Sequence, residues 1–225
     1  MPAFTLVNSA PNFAMTSDTA TPTTDTLQRY YRFHARIYQM TRWAFLFGRK
    51  EIIRRLRIQP LEDYNLLEVG CGPGTNITYM ADQFPNMTFM GVDISPDMLT
   101  QARNNVDFYG KRVSLHEVSY TDESFTPPHK PEIILFSYVL TMMNPGYEAA
   151  IERAHRDLSS GGIVAIVDFH QTRWRWFRWW MGKNHVRMEG QVLACAQKHF
   201  IETHVAVKSA FFGLWEYVVF VGLRK

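Results

Sequence analysis

Cysteine is scarce: Cys71 and Cys195 are the two in 225 residues. Two thiols cannot build a disulfide framework or a four-thiolate zinc site, so a reducing compartment is expected. The 8 histidines show neither an HExxH pattern nor Cys/His spacing for a metal, and no metal is expected. Net charge is small at +3, too mild to name nucleic acid as a partner. Long apolar runs are missing too. The longest uncharged apolar-rich stretch, Ile133 to Tyr147, is interrupted by Asn144, Pro145 and Gly146. A bilayer-spanning helix needs about 20 mostly apolar residues. No Lys or Arg precedes Arg29, so the basic start of a secretory signal is missing. Residues 1–28, rich in Ser, Thr, Ala and Pro, read as a disordered leader.

Between residues 29 and 57, nine Arg and Lys side chains face the single acid Glu51, with aromatics interleaved. Proline is absent from 26 to 59, which predicts one or two helices broken at Gly48, a cap over residues 29–60. From residue 61 short apolar runs alternate with helical patterns. Strands are expected at 65–69, 88–93, 113–117, 132–137 and 163–168, with helices at 75–84, 95–107 and 147–158. Ser95 followed by Pro96 is a helix-start signature, and Gly161-Gly162 is a stop. A helix at 186–199 and closing strands at 205–210 and 214–223 complete the pattern. Such alternation requires an α/β fold: a doubly wound, mostly parallel sheet with helices on both faces.

The sharpest motif is Leu66-Leu67-Glu68-Val69-Gly70-Cys71-Gly72-Pro73-Gly74, a buried strand running into three glycines with a helix behind them. Glycines let the backbone approach a ligand closely, and the helix start favours a negative group. The spacing is G-x-G-x-G, not the G-x-G-x-x-G of dinucleotide-binding domains. Asp93 ends the next strand about 20 residues on, where an acid can accept from both hydroxyls of a ribose. A nicotinamide-binding domain and an empty tight turn are the rival readings.

This set of residues resembles the class I S-adenosylmethionine-dependent methyltransferases, with a Rossmann-like core at 61–225. The resemblance implies S-adenosyl-L-methionine as cofactor and S-adenosyl-L-homocysteine as product. It places Glu68, Gly70, Cys71, Gly72 and Gly74 around the methionine part and Asp93, Ile94 and Met98 around the ribose and adenine. Ser137 and Tyr138, ending the fourth strand, would line the same crevice. Many members place an Asp after the third strand for the adenine amine. Here Ser119 stands near that place, followed by Tyr120.

The stretches Tyr30 to Tyr38 and Thr41 to Arg49 are similar to the entry segment of bacterial betaine-lipid N-methyltransferases, which trimethylate diacylglyceryl-homoserine. Phosphatidylethanolamine N-methyltransferases share the core. The resemblance implies an amine-headgroup lipid as substrate, with Tyr31, Tyr38 and Arg42 contacting it. Tyr31 and Tyr38 share one helical face with His34 between them. Aromatic faces attract a cationic headgroup, although they can equally be the packed face of a lid. Tyr31, His34, Tyr138 and His170 are the candidates for steering or accepting the amine proton; His170 can equally be structural.

Residues 173–180 hold four tryptophans and three arginines, and no acid occurs between Asp168 and Glu189. Trp174, Trp176, Trp179 and Trp180 with Arg173 and Arg178 fit a segment of an insertion at about 170–187 that lies on an anionic membrane. Nucleic acid and a subunit interface are the alternatives; the lipid substrate favours membrane. The expected location is cytoplasmic, peripheral on the inner membrane face, with no nucleic acid as partner.

Overall fold

The computed structural model describes residues 46–59 and 61–225. The expected leader and the stretch holding Tyr31, His34, Tyr38 and Arg42 lie outside the described residues.

Helix α1 (Arg49–Arg55) starts directly after Gly48, the expected break, whose φ is 82°. Strand β1 (Asn65–Val69) leads through the glycine turn into α2 (Thr75–Gln83), followed by β2 (Thr88–Asp93) and α3 (Pro96–Val106). The Ser95 hydroxyl caps α3 by accepting from the Met98 N–H at 3.3 Å. Next come β3 (Val113–Glu117), β4 (Ile133–Ser137), α4 (Tyr147–Asp157) and β5 (Ile163–Phe169). The chain closes with α5 (Arg175–Lys183), α6 (Gln191–His199), β6 (Phe200–Ala210) and β7 (Trp215–Arg224).

These strands form a seven-stranded sheet in the order β3-β2-β1-β4-β5-β7-β6. β1 to β5 are parallel, and β7 enters antiparallel between β5 and β6. Central β4 is buried along its whole length, as a strand covered on both faces must be. Edge strand β3 is half exposed. On one face Leu67, Val69, Phe136 and Ile166 pack with Ala150 and Ile151 of α4 and with Val192 and Ala196 of α6. Leu66 and Glu68, one residue out of phase, point to the other face, where α2 brings Asn76 against Glu68. α1 packs on β5 and β7.

The strand order reverses between β1 and β4, and ligands of open α/β sheets bind at the carboxyl ends beside that switch point. Two element starts differ from expectation by about five residues, and one helix is additional. α6 starts at Gln191, not at 186, because Gly190 turns the chain with φ 75° and residues before it are held by a bridge between Gln171 and Glu189. β6 starts at Phe200, because β7 supplies pairing partners along that whole length. Part of the Trp/Arg-rich segment is the helix α5. No described helix is long and apolar enough to cross a membrane.

Candidate active site

β1 delivers the chain into a turn in which Gly70, Gly72 and Gly74 all have positive φ, at 67°, 54° and 75°. At Gly70 the requirement is double. The conformation is one that L side chains rarely adopt, and an added Cβ would collide with the Val139 side chain. The N–H groups of Gly70 and Cys71 donate to the Val92 carbonyl at 2.8 and 3.1 Å, which curls the turn over the end of β2.

Asp93 completes that closure. Its Oδ2 accepts from the Gly72 N–H at 2.8 Å and its Oδ1 from the Ser95 N–H at 2.9 Å. A carboxylate has about four acceptor positions, so two remain for a ligand diol. Ile94, next in the chain, is 72% exposed at the mouth of the turn. An isoleucine left in water there offers an apolar surface to a flat base.

Behind the turn runs a polar chain. The Arg49 Nε donates to Asn76 Oδ1 at 2.8 Å, and Asn76 Nδ2 donates to Glu68 Oε1 at 2.6 Å. Glu68 is buried, and this chain links α1, α2 and β1. Asn76 is legible in the sequence only as a polar residue inside an apolar helical stripe.

On the β4 and β5 side, Ser137 is buried and its Oγ has no hydrogen-bond partner among the described residues. Asp168 is fully buried. Its carboxylate accepts from the Thr141 hydroxyl at 2.5 Å, from the Leu140 and Thr141 N–H groups at 2.8 and 3.3 Å, and from the Phe169 N–H at 2.8 Å. Burial pushes its pKa up to about 6 against the pull of those donors. In the sequence Asp168 reads merely as a strand end.

Several expected cofactor contacts turn elsewhere. The Tyr120 ring is in the core against Phe136 at 6.1 Å, and its hydroxyl donates to Asp157 at 3.0 Å. Met98 sits on the buried face of α3, and Cys71 is buried against Gly91. Ser119 is exposed, with its hydroxyl 3.0 Å from that of Thr121.

Tyr138 does not suit the proton-accepting role expected of it. It is buried at a positive φ of 57°, and its hydroxyl donates to the Phe47 carbonyl at 2.6 Å. Burial and the neighbouring Asp168 hold the phenol well above the usual tyrosine range, so it stays neutral. Its side chain braces the entry to α1. His170 is half-buried beside Gly190, with its Nδ1 unbonded among the described residues. Burial lowers its pKa, against the opposing pull of Glu216, so the imidazole is neutral near pH 7.

Comparison with known proteins agrees with this geometry. Residues 66–162 match a family model described as a methyltransferase domain. A trans-aconitate 2-methyltransferase of Methylobacterium radiotolerans is 31% identical over 109 residues, which cover 48% of this chain and 39% of that protein. The same enzyme of Methylobacterium nodulans is 27% identical over 101 residues, covering 45% and 36%. The chain thus spans about two fifths or less of these relatives' length. Among solved structures, the N-methyltransferase NodS of Bradyrhizobium japonicum with S-adenosyl-L-homocysteine superposes with a TM-score of 0.64 at 14% identity, covering 78% of this chain and 85% of that one. Phosphoethanolamine N-methyltransferase 2 of Haemonchus contortus gives 0.72 at 17% identity, covering 88% and 59%.

The fold is that of these N-methyltransferase structures, in which S-adenosyl-L-homocysteine is bound. The residues present fit that group: a turn with glycine at every second position, a carboxylate with acceptor capacity at its rim, and an exposed apolar residue next in the chain.

Proposed function

We propose that this protein transfers a methyl group from S-adenosylmethionine to an amine nitrogen of a membrane-lipid headgroup, with diacylglyceryl-homoserine, converted to its trimethylated betaine form, as the acceptor. The observation that carries methyl transfer is the glycine turn clasped by Asp93 through Gly72. Two N-methyltransferases among the similar folds support nitrogen as acceptor. The exposed Trp176, Trp179 and Trp180 on α5 support a lipid and a peripheral position on an anionic membrane.

When bound, S-adenosylmethionine supplies an activated methyl, so the residues' task is alignment and exclusion of water. Asp93 would accept from the ribose hydroxyls, Ile94 would offer its apolar surface to the adenine, and the turn backbone would hold the methionine part. The acceptor amine must be neutral to attack, and an apolar site lowers its pKa. His170, neutral near pH 7, can take the released proton. Tyr31 and His34 remain candidates for the same work, with Tyr38 and Arg42 on the headgroup.

A second reading follows from the trans-aconitate 2-methyltransferases: the acceptor is the carboxylate of a small acid. Their likeness covers 45% and 48% of this chain. Incubation with methyl-labelled S-adenosylmethionine and either dispersed diacylglyceryl-homoserine, phosphatidylethanolamine or trans-aconitate separates these readings. Label in the organic phase with diacylglyceryl-homoserine is expected. Label only with phosphatidylethanolamine moves the acceptor to that lipid, and label only in aconitate ester ends the lipid reading.

A further inference from the structure

α5 buries Phe177 and Met181 and turns Trp176, Trp179, Trp180 and Lys183 outward, the three- and four-residue spacing of one helical face. Phe177 stacks on Trp215 with ring centroids 5.6 Å apart, which fixes the helix to the start of β7. The turn joining β6 to β7, Phe211–Gly213, stands next to it. Arg173 and Arg178 line a cavity of about 550 Å³ together with Ser209, Phe212 and Gly213 of the hairpin. Phe211, itself partly exposed, packs against Phe47 at 5.3 Å and Trp215 at 4.7 Å.

Phe212 is different. Its ring is fully exposed, and its backbone sits at φ 55°, ψ 32°, a conformation unfavourable for a bulky residue. A glycine or asparagine would hold that turn with less strain and less apolar surface in water. Arg173 and Arg178 line the cavity beside it, and no acid occurs in the sequence from 169 to 188. Of the nearby acids, Glu189 is engaged by Arg187 at 2.9 Å and Glu216 lies in the cavity wall.

We infer that α5 and the β6–β7 turn form one two-pronged face that docks on an anionic lipid bilayer, with Phe212 as the inserting tip of the second prong. The partner rests on the lipid reading above; the second prong rests on Phe212 itself. Aromatic rings settle at the headgroup boundary, and the arginines between the prongs meet lipid phosphates.

The test is sedimentation of the full chain with vesicles of phosphatidylglycerol mixed with phosphatidylcholine, and with phosphatidylcholine alone. Wild type is expected to sediment with the anionic vesicles and remain free of the neutral ones. Phe212→Ser is expected to weaken that partitioning about tenfold. Calorimetry with S-adenosylhomocysteine should give the same affinity for Phe212→Ser as for wild type, which establishes that the variant is folded. If Phe212→Ser sediments like wild type while Trp176→Ser/Trp179→Ser is released, the second prong is refuted and the lipid reading stands. If wild type ignores anionic vesicles, or binds neutral ones as tightly, the docking face is refuted. Self-association through α5 with no vesicle binding refutes it too and gives the face to a second copy.

Discussion

The Asp168 carboxylate accepts a 2.5 Å hydrogen bond from the Thr141 hydroxyl, so the end of β5 holds the turn that follows β4. That turn follows Ser137 and Tyr138, and the same buried carboxylate fixes its backbone N–H groups.

This arrangement makes stability pH-dependent in a definite direction. The pKa of Asp168 is raised in the folded state to about 6, above an unfolded value near 3.9. The folded chain therefore holds that proton more tightly. The contribution favours folding below about pH 4 and is lost as pH rises through about 6, by up to roughly 3 kcal/mol. Denaturant titrations of wild type and Asp168→Asn should show their stability gap narrowing from pH 4 to pH 7. At pH 7 the variant should still be less stable by roughly 1–3 kcal/mol, because its amide points donors at backbone donors. A gap that stays constant with pH would show that Asp168 does not titrate in this window.

Asp93→Ala removes the carboxylate that serves both Gly72 and the proposed ribose. Loss of charge-assisted hydrogen bonds predicts weaker S-adenosylhomocysteine binding by about 10- to 100-fold. Calorimetry measures it, and unchanged affinity removes Asp93 from the cofactor site.

Gly70→Ala forces an unfavourable φ and drives a Cβ into Val139. The expected loss is about 2 kcal/mol or more of stability. Adding Val139→Ala should recover the steric part and leave the backbone part. Thermal melts of the single and double variants test this; no recovery would mean the collision is not the cause.

His170 should titrate below the ordinary histidine range, because burial opposes its charged form. Imidazole NMR signals followed from pH 5 to 8 should report it neutral at pH 7. A titration raised well above the ordinary histidine range would keep the imidazole charged at pH 7 and remove it as the proton acceptor.

What sequence made legible was local. The run from Leu66 to Gly74, the acid Asp93 and the Ser95-Pro96 cap are each decided within a few residues by backbone conformation and burial. Long-range pairing was not legible. Nothing in the surroundings of Tyr138 announces that its hydroxyl reaches Phe47, and nothing near Tyr120 announces Asp157. α5 carries a helical signal of its own: Phe177 and Met181 lie four apart on the inward face, with arginines, tryptophans and Lys183 around them. The start of β6 was missed because its exposed residues are held by backbone pairing to β7 more than by burial.

Strand β7 follows β6 in the chain yet lies between β6 and β5. β6 consequently has nothing to join until β7 has been made, and the flank of β5 stays bare for the same interval. A nascent chain halted before Trp215 would thus display two unsatisfied strand edges at once, β5 and β6, and would be the form most prone to sticking to its neighbours.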